Sequence, residues 1–148
     1  MRPARRLVQG LVAVQLCGAA TYLEVALRRR PFPELAAGWS SAATSGVGRR
    51  LPLAAGLLDA ERLQRLVRLA ARSWRADRGC LPRALLTWWI ELARGQQAAI
   101  VIGVRREPFV AHAWVEVGGR VRGEAGDPPA RFRELVRYGP PPRRGAGP

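Results

Sequence analysis

The chain has 148 residues, 48% of them hydrophobic, which is enough to bury the core of one domain and excludes a chain disordered throughout. Its formal net charge of +14 comes from arginines scattered over several segments, a distribution that argues against a dedicated nucleic-acid-binding stripe. Two cysteines and one histidine are too few for a disulfide framework or a structural zinc site, and they favour a reduced, cytoplasmic setting.

The first predicted element is one long helix over residues 7–30. A mostly apolar stretch follows an arginine-rich start and ends at three consecutive arginines. A signal or membrane segment has the same pattern. Because Gln9, Gln15 and Glu24 interrupt the stretch, we expect it to pack on the domain or on a partner, with membrane contact as the less favoured alternative.

Two prolines, Pro31 and Pro33, are expected to break this helix. Residues 38–50 are rich in Gly, Ser and Thr and predict a linker. Asp59 then has the chemistry of a helix N-cap, and apolar residues at helical spacing predict a helix that runs to about Trp74.

Another helix is predicted after the one that runs to about Trp74, and it begins directly after a turn at residues 75–79. Pro82 suits the first turn of a helix, where its missing N–H costs nothing, and Gly95 is a suitable C-terminal stop. Cys80 is therefore expected at or just before a helix N-terminus.

The hydrophobic period changes from helical to strand-like after Gly95. Residues 98–104 and 109–117 predict two strands, Gly118-Gly119 predicts a hairpin turn, and residues 120–124 begin the return strand. A short helix is expected around Arg131–Val136.

The predicted fold class is therefore α+β, with N-terminal helices followed by a small antiparallel sheet. We expect an N-terminal helix and linker over residues 1–50 and a core domain over residues 51–138. Residues 139–148, rich in Gly and Pro, predict a disordered tail.

Cys80 and His112, the only histidine, are the candidate reactive pair. A helix N-terminus lowers the pKa of a thiol and offers backbone N–H groups to a developing oxyanion, and a nearby imidazolium lowers the thiol pKa further. A cysteine at a helix start beside a histidine on a strand is thus suited to nucleophilic catalysis. The alternative is a small buried cysteine and a core histidine with a satisfied hydrogen bond.

A third group must hold the imidazole in one tautomer, and the chain contains no asparagine for this task. The hairpin returns towards His112 near Glu124 and Asp127. A three-residue turn would place residue 124 opposite His112, whereas a two-residue turn would place residue 125 there. The register stays open at this point, and either acid can also be a solvated loop charge.

Three sequence segments, "CLPRALL" at 80–86, "VIGVRREPFVAHAWVEVGGRV" at 101–121 and "GEAGD" at 123–127, resemble the leader peptidase of lasso-peptide biosynthesis, a transglutaminase-like cysteine protease. The resemblance implies a papain-like, transglutaminase-like core and a Cys–His–Asp triad. Cys80 and His112 match the first two positions.

The third position of that triad is Glu124 here, where the family usually has Asp, so Asp127 remains the alternative third member. Arg83 and Trp114 also match family positions, and we interpret them as structural supports rather than reactive groups.

By resemblance, the chain is expected to be a cysteine endopeptidase that removes the leader from a ribosomally synthesised lasso precursor peptide. The expected partners are the precursor leader, a small leader-recognition protein and an ATP-dependent lasso cyclase, with residues 1–72 helping to dock the leader or its recognition protein. We expect no metal and no cofactor. The alternatives are an acyltransferase of the same fold, of the transglutaminase or arylamine acetyltransferase type, and a non-catalytic nucleic-acid-binding module that uses helices within residues 60–94.

Overall fold

The computed structural model describes residues 2–44, 57–72 and 79–139, with side chains described from residue 4 and, in the first range, up to residue 42. In chain order the elements are α1 (Arg2–Arg29), α2 (Phe32–Thr44), α3 (Ala60–Ala71), α4 (Cys80–Ala93), β1 (Ala98–Arg105), β2 (Val110–Val117), β3 (Arg120–Arg122), α5 (Pro128–Arg131) and β4 (Arg133–Tyr138). The long helices precede a four-stranded antiparallel sheet, which confirms the predicted α+β class.

Helix α1 confirms the predicted long N-terminal helix. One face of the helix is fully buried and packs against α3 and α4; it consists of Val12, Leu16, Ala20 and Leu23. Another face exposes apolar side chains, among them Leu7, Val14 and Tyr22. Among the described helices, α1 alone is long and apolar enough to cross a membrane, judged by its length and by a mean hydropathy of 1.5 over an 18-residue window within residues 4–29.

Helix α2 shows that the predicted linker at residues 38–50 is wrong over residues 38–44, which are helical. Trp39 anchors this segment, because its Nε1 donates a hydrogen bond to the Leu85 carbonyl of α4 at 3.3 Å and its ring contacts those of Tyr22 and Trp89. Tertiary packing thus overrides the low helix propensity of Gly, Ser and Thr. Residues 45–50 lie outside the described ranges, as does the predicted boundary at residue 50.

Helices α3 and α4 begin where the sequence predicted. The Asp59 carboxylate accepts a hydrogen bond from the backbone N–H of Arg62 at 2.8 Å, which confirms the N-cap. The expected end of α3 at Trp74 falls outside the described residues. Cys80 is the first residue of α4, and Gly95, with φ at 76°, follows the end of that helix. Most of α4 is buried, so it forms the centre of the core.

The sheet has the strand order β3-β2-β1-β4. Val117 pairs with Arg120, so the β2–β3 hairpin has a two-residue turn, Gly118-Gly119, in which both glycines have positive φ. Helix α4 packs against β1 and β2, and alternate β2 residues, Ala113, Val115 and Val117, belong to the same buried core as α4.

The short helix expected around Arg131–Val136 is wrong. Helix α5 ends at Arg131, and β4 then pairs with β1, with Val136 opposite Ile102. The segment carries several charges, and its polar and apolar residues alternate only weakly, so its sequence does not indicate a strand. It becomes a strand because the edge of β1 offers backbone hydrogen bonds, which a local sequence pattern does not show. The tail after Gly139 lies outside the described residues.

Candidate active site

Cys80 lies at the start of α4 with its thiol half-buried beside β2. Burial raises the pKa of the thiol. Hydrogen bonds with the His112 imidazole and with the Ala113 backbone, together with the positive charge of His112, outweigh burial and lower the pKa below its ordinary value. The surroundings of Cys80 therefore favour the thiolate, which is the nucleophilic form.

His112, on β2, is held between the thiol and a carboxylate. The hydrogen bond with Cys80 and then that with Glu124 raise the pKa of the imidazole to about 9, against the opposing effect of burial. The opposite directions of the two pKa shifts, raised for His112 and lowered for Cys80, favour the thiolate–imidazolium form of the pair over its neutral form.

Glu124 joins two elements of the site through its two carboxylate oxygens. Its Oε2 lies 3.4 Å from Nε2 of His112, and its Oε1 accepts a hydrogen bond from the Arg83 guanidinium on α4. Burial raises the pKa of this carboxyl, but the hydrogen bond with His112 and the charge of Arg83 lower it on balance. Glu124 is therefore ionised where it faces the imidazole.

The position of Glu124 does not come from strand pairing. The two-residue turn makes residue 125 the register partner of His112, so the three-residue turn that would pair residue 124 with it is wrong. Strand β3 ends at Arg122, and Gly123, with φ at 75°, turns the chain. The Gln64 side chain of α3 packs so close to Gly123 that a Cβ there would lie 2.7 Å from its Oε1. This bend carries Glu124 to His112.

Asp127, the alternative third member, is exposed and precedes α5 without capping it. The ion pairs of the described residues join His112 to Glu124, and none joins it to Asp127. The structure therefore brings Cys80, His112 and Glu124 together and leaves Asp127 apart from them.

An aromatic side chain that the sequence did not single out packs on the imidazole. The ring of Phe132 stacks on His112 with ring centroids 5.1 Å apart, and Trp114 stacks at 6.3 Å. The guanidinium groups of Arg105 and Arg131 lie over the Phe132 ring. The local sequence signal that could have pointed to Phe132 was a single aromatic residue within a run of charged residues.

Trp114 is buried next to the site and hydrogen-bonded, an environment compatible with the structural support predicted for it. Its Nε1 donates to Glu116 Oε1 at 2.9 Å, and Glu116 Oε2 accepts from Arg137 at the same distance, so the buried carboxylate is satisfied. The Trp114 ring lies against Gly103, where a Cβ would meet it at 2.7 Å. Gly103 pairs with His112 across β1 and β2, and its lack of a side chain makes room for the ring beside the histidine.

Comparison with known proteins finds one family and one partial relative. The chain is 54% identical over 33 residues to the microcin J25-processing protein McjB of Escherichia coli. That match covers 22% of this chain and 16% of the length of McjB. No solved structure matches the chain. The transglutaminase-like superfamily matches residues 19–137, which run from within α1 to within β4 and include the Cys80, His112 and Glu124 group. The chain therefore belongs to the transglutaminase-like superfamily.

Proposed function

We propose that this protein is a cysteine endopeptidase that removes the leader from a ribosomally synthesised precursor peptide of the lasso class. The observation that carries the proposal is the contiguous group of Cys80, His112 and Glu124 at the start of α4. The partial likeness to a microcin J25-processing protein supports peptide processing as the activity.

In the proposed reaction the Cys80 thiolate attacks the scissile carbonyl and forms an acyl-enzyme. His112 Nε2 faces Glu124, so Nδ1 is the nitrogen left to exchange a proton with the thiol and the leaving amine. Water then hydrolyses the thioester, with His112 as the base. The backbone N–H of Cys80, at the helix N-terminus, is the proposed oxyanion donor.

Glu124 is the proposed positioning residue for this reaction. Its carboxylate fixes the imidazole tautomer and stabilises the imidazolium. Arg83 in turn fixes the carboxylate, and Phe132 restricts the plane of the ring. The longer Glu side chain takes the place of Asp because the bend at Gly123 sets its backbone outside the strand register.

The proposed setting is the cytoplasm, and the reaction needs no metal or cofactor. A small leader-recognition protein and a lasso cyclase are the proposed partners, and the helices before residue 72 are the proposed docking region. The exposed apolar face of α1 is compatible with such a contact.

The proposal is tested with a leader-bearing lasso precursor peptide, incubated with the purified enzyme and a leader-recognition protein. Cys80→Ala should abolish leader removal, measured by mass spectrometry, while the circular dichroism spectrum stays unchanged. Cys17→Ala is the matched control, because Cys17 is exposed on α1, and it should cleave at the wild-type rate.

Full cleavage by Cys80→Ala would overturn the cysteine-protease assignment. A competing amine in the same assay separates hydrolysis from acyl transfer, because an acyltransferase would yield the amide of the leader and a peptidase its free acid.

A further inference from the structure

A cavity of about 610 Å³ opens between α3 and the start of α4, and arginines dominate its lining. Helix α3 contributes Arg65, Arg68 and its C-cap residue Arg72, whose spacing of three and four residues places them on one face, and α4 contributes Arg83. Within the described ranges no acidic side chain lines the cavity. Gly79 also lines it, so the cavity adjoins the residue next to Cys80.

We propose that this arginine-lined cavity binds a carboxylate side chain of the peptide substrate within about four residues of the scissile bond. The proposal rests on the function proposed above and names a feature of its substrate. An extended peptide advances about 3.3 Å per residue, so a side chain that enters beside Gly79 belongs to a residue close to the bond that Cys80 attacks.

The lining arginines have capacity for an anion. Arg68 and Arg72 are exposed and have no acidic partner among the described residues, and Arg65 has only a loose, exposed pair with Glu61 at 3.7 Å. Guanidinium groups match the planar geometry of a carboxylate and can bind it through two parallel hydrogen bonds. The cavity therefore concentrates positive charge that the described protein leaves uncompensated.

Arg83 connects the cavity with the catalytic group, because it lines the cavity and its terminal nitrogen donates a hydrogen bond to Glu124. Its Nε is shielded within the protein and is not available to an anion in the cavity. Arg83 therefore adds positive charge to the cavity, and a substrate carboxylate bound there would lie beside the residue that holds Glu124.

The shape of the cavity favours a peptide carboxylate over nucleic acid. Single-stranded nucleic acid needs a groove that follows many successive phosphates and aromatic side chains on which bases stack. This cavity is local, and its described lining contains no aromatic side chain, with Leu69 and Ala71 as the apolar part. It adjoins Gly79, the residue before the nucleophile that a substrate peptide must reach.

The test measures kcat/KM for precursor peptides that carry Glu or, in a matched twin, Gln at each of four positions on either side of the cleavage site. Three enzymes are compared: wild type, the double variant Arg68→Gln/Arg72→Gln, and the charge-matched control Arg106→Gln/Arg120→Gln, which lies outside the proposed docking helices. Both replaced pairs are exposed, so thermal melting should show all three folded. The Glu/Gln ratio is taken within each enzyme, which cancels general effects of a variant.

We expect the wild type to prefer Glu over Gln about tenfold at one or two adjacent positions, the size expected for a charge-assisted contact that is partly exposed. The ratio should fall to about one in Arg68→Gln/Arg72→Gln and stay near tenfold in the control. Raising the salt from about 0.1 M to about 1 M should also reduce it in the wild type.

A wild-type ratio near one at every position, or a preference that survives in Arg68→Gln/Arg72→Gln, would overturn the proposal. The proposal would also fail if the Glu/Gln ratio were near one throughout and a single-stranded DNA oligonucleotide bound tightly to the wild type but not to Arg68→Gln/Arg72→Gln. The cavity would then be a phosphate site. Failure of the proposed function would give a different result from failure of the cavity proposal. In that case the wild type would cleave no peptide, or Cys80→Ala would cleave it as fast as the wild type.

Discussion

The Nε2 atom of His112 lies 3.4 Å from the Oε2 atom of Glu124, although the register of the β2–β3 hairpin places residue 125 opposite His112. The early end of β3 at Arg122 and the left-handed conformation of Gly123 reconcile these two facts. The third group of the candidate site is thus positioned by a bend in the chain and by Arg83, rather than by the sheet.

The role of Glu124 can be tested by changing its charge and its length. Glu124→Gln should slow single-turnover cleavage severely, by up to the about 10⁴-fold seen when the serine-protease triad loses its carboxylate, because the imidazole tautomer is no longer fixed. Glu124→Asp should retain substantial activity, since it keeps the charge and restores the usual family residue.

Asp127→Asn is the matched control for this series, because Asp127 is exposed and away from His112. Its rate should stay close to that of the wild type. If Asp127→Asn instead had the severely reduced cleavage rate, Asp127 would be the positioning residue and the assignment of Glu124 would be wrong.

His112 is the only histidine, so its protonation can be followed by NMR without assignment of other imidazoles. The imidazole should titrate with a pKa of about 9 in the wild type. Cys80→Ser and Glu124→Gln should each lower that pKa towards the ordinary value, because each removes a hydrogen bond that favours the imidazolium.

The same titration predicts the alkaline limit of activity. Protonated His112 is the proposed acid for the leaving amine, so the cleavage rate should fall as pH rises through about 9. On the acid side the rate should fall where the Cys80 thiolate takes up a proton, below the ordinary thiol range. A His112 resonance that titrates near pH 6.5 in the wild type would contradict the ion pair.

Gly123 provides a test of the bend that positions Glu124. Gly123→Ala should lower the cleavage rate even where thermal melting shows the variant folded. The substitution adds a left-handed backbone cost of about 1–2 kcal/mol and places a Cβ 2.7 Å from Gln64 Oε1, so it disturbs the bend. Adding Gln64→Ala should restore part of the rate, since it removes the contact but not the backbone cost.

Gly126→Ala is the control for the bend, because no atom lies within 4 Å of a Cβ placed there. It should leave the cleavage rate and the His112 pKa unchanged. Wild-type activity of Gly123→Ala would show that the conformation of this loop does not position the carboxylate.

Substitutions on α1 test whether this helix packs in the domain or spans a membrane. Leu16→Asp should unfold or destabilise the protein, because Leu16 is 0% exposed in the core. Val14→Asp should be tolerated and leave the protein in the soluble fraction, because Val14 is 72% exposed. Thermal melting and fractionation of the natural protein would measure both. Carbonate-resistant membrane association that Val14→Asp abolishes would contradict this packing.

Much of the fold was predictable because its signals are local. The apolar stretch before Arg28, the capping chemistry of Asp59 and the glycine pair at 118–119 each act on the backbone within a few residues. The start of α4 at Cys80 was predictable for the same reason, since within a helix a proline such as Pro82 fits in the first turn and disrupts later turns.

The errors occurred where distant parts of the chain decide the conformation. Residues 38–44 are helical because Trp39 packs on α4, and the segment after Arg131 is a strand because β1 has an edge to pair with. Neither partner is near in sequence, so composition and period indicated a linker and a helix instead.

The sequence by itself determined the candidate reactive residues, because one histidine and one cysteine at a helix start leave few choices for nucleophilic chemistry. Only the tertiary structure decided which acid faces the histidine. The bend at Gly123 and the guanidinium of Arg83 both depend on contacts between residues 40 or more positions apart. Such contacts form only when α3, α4 and the hairpin pack together, and no local pattern encodes their geometry.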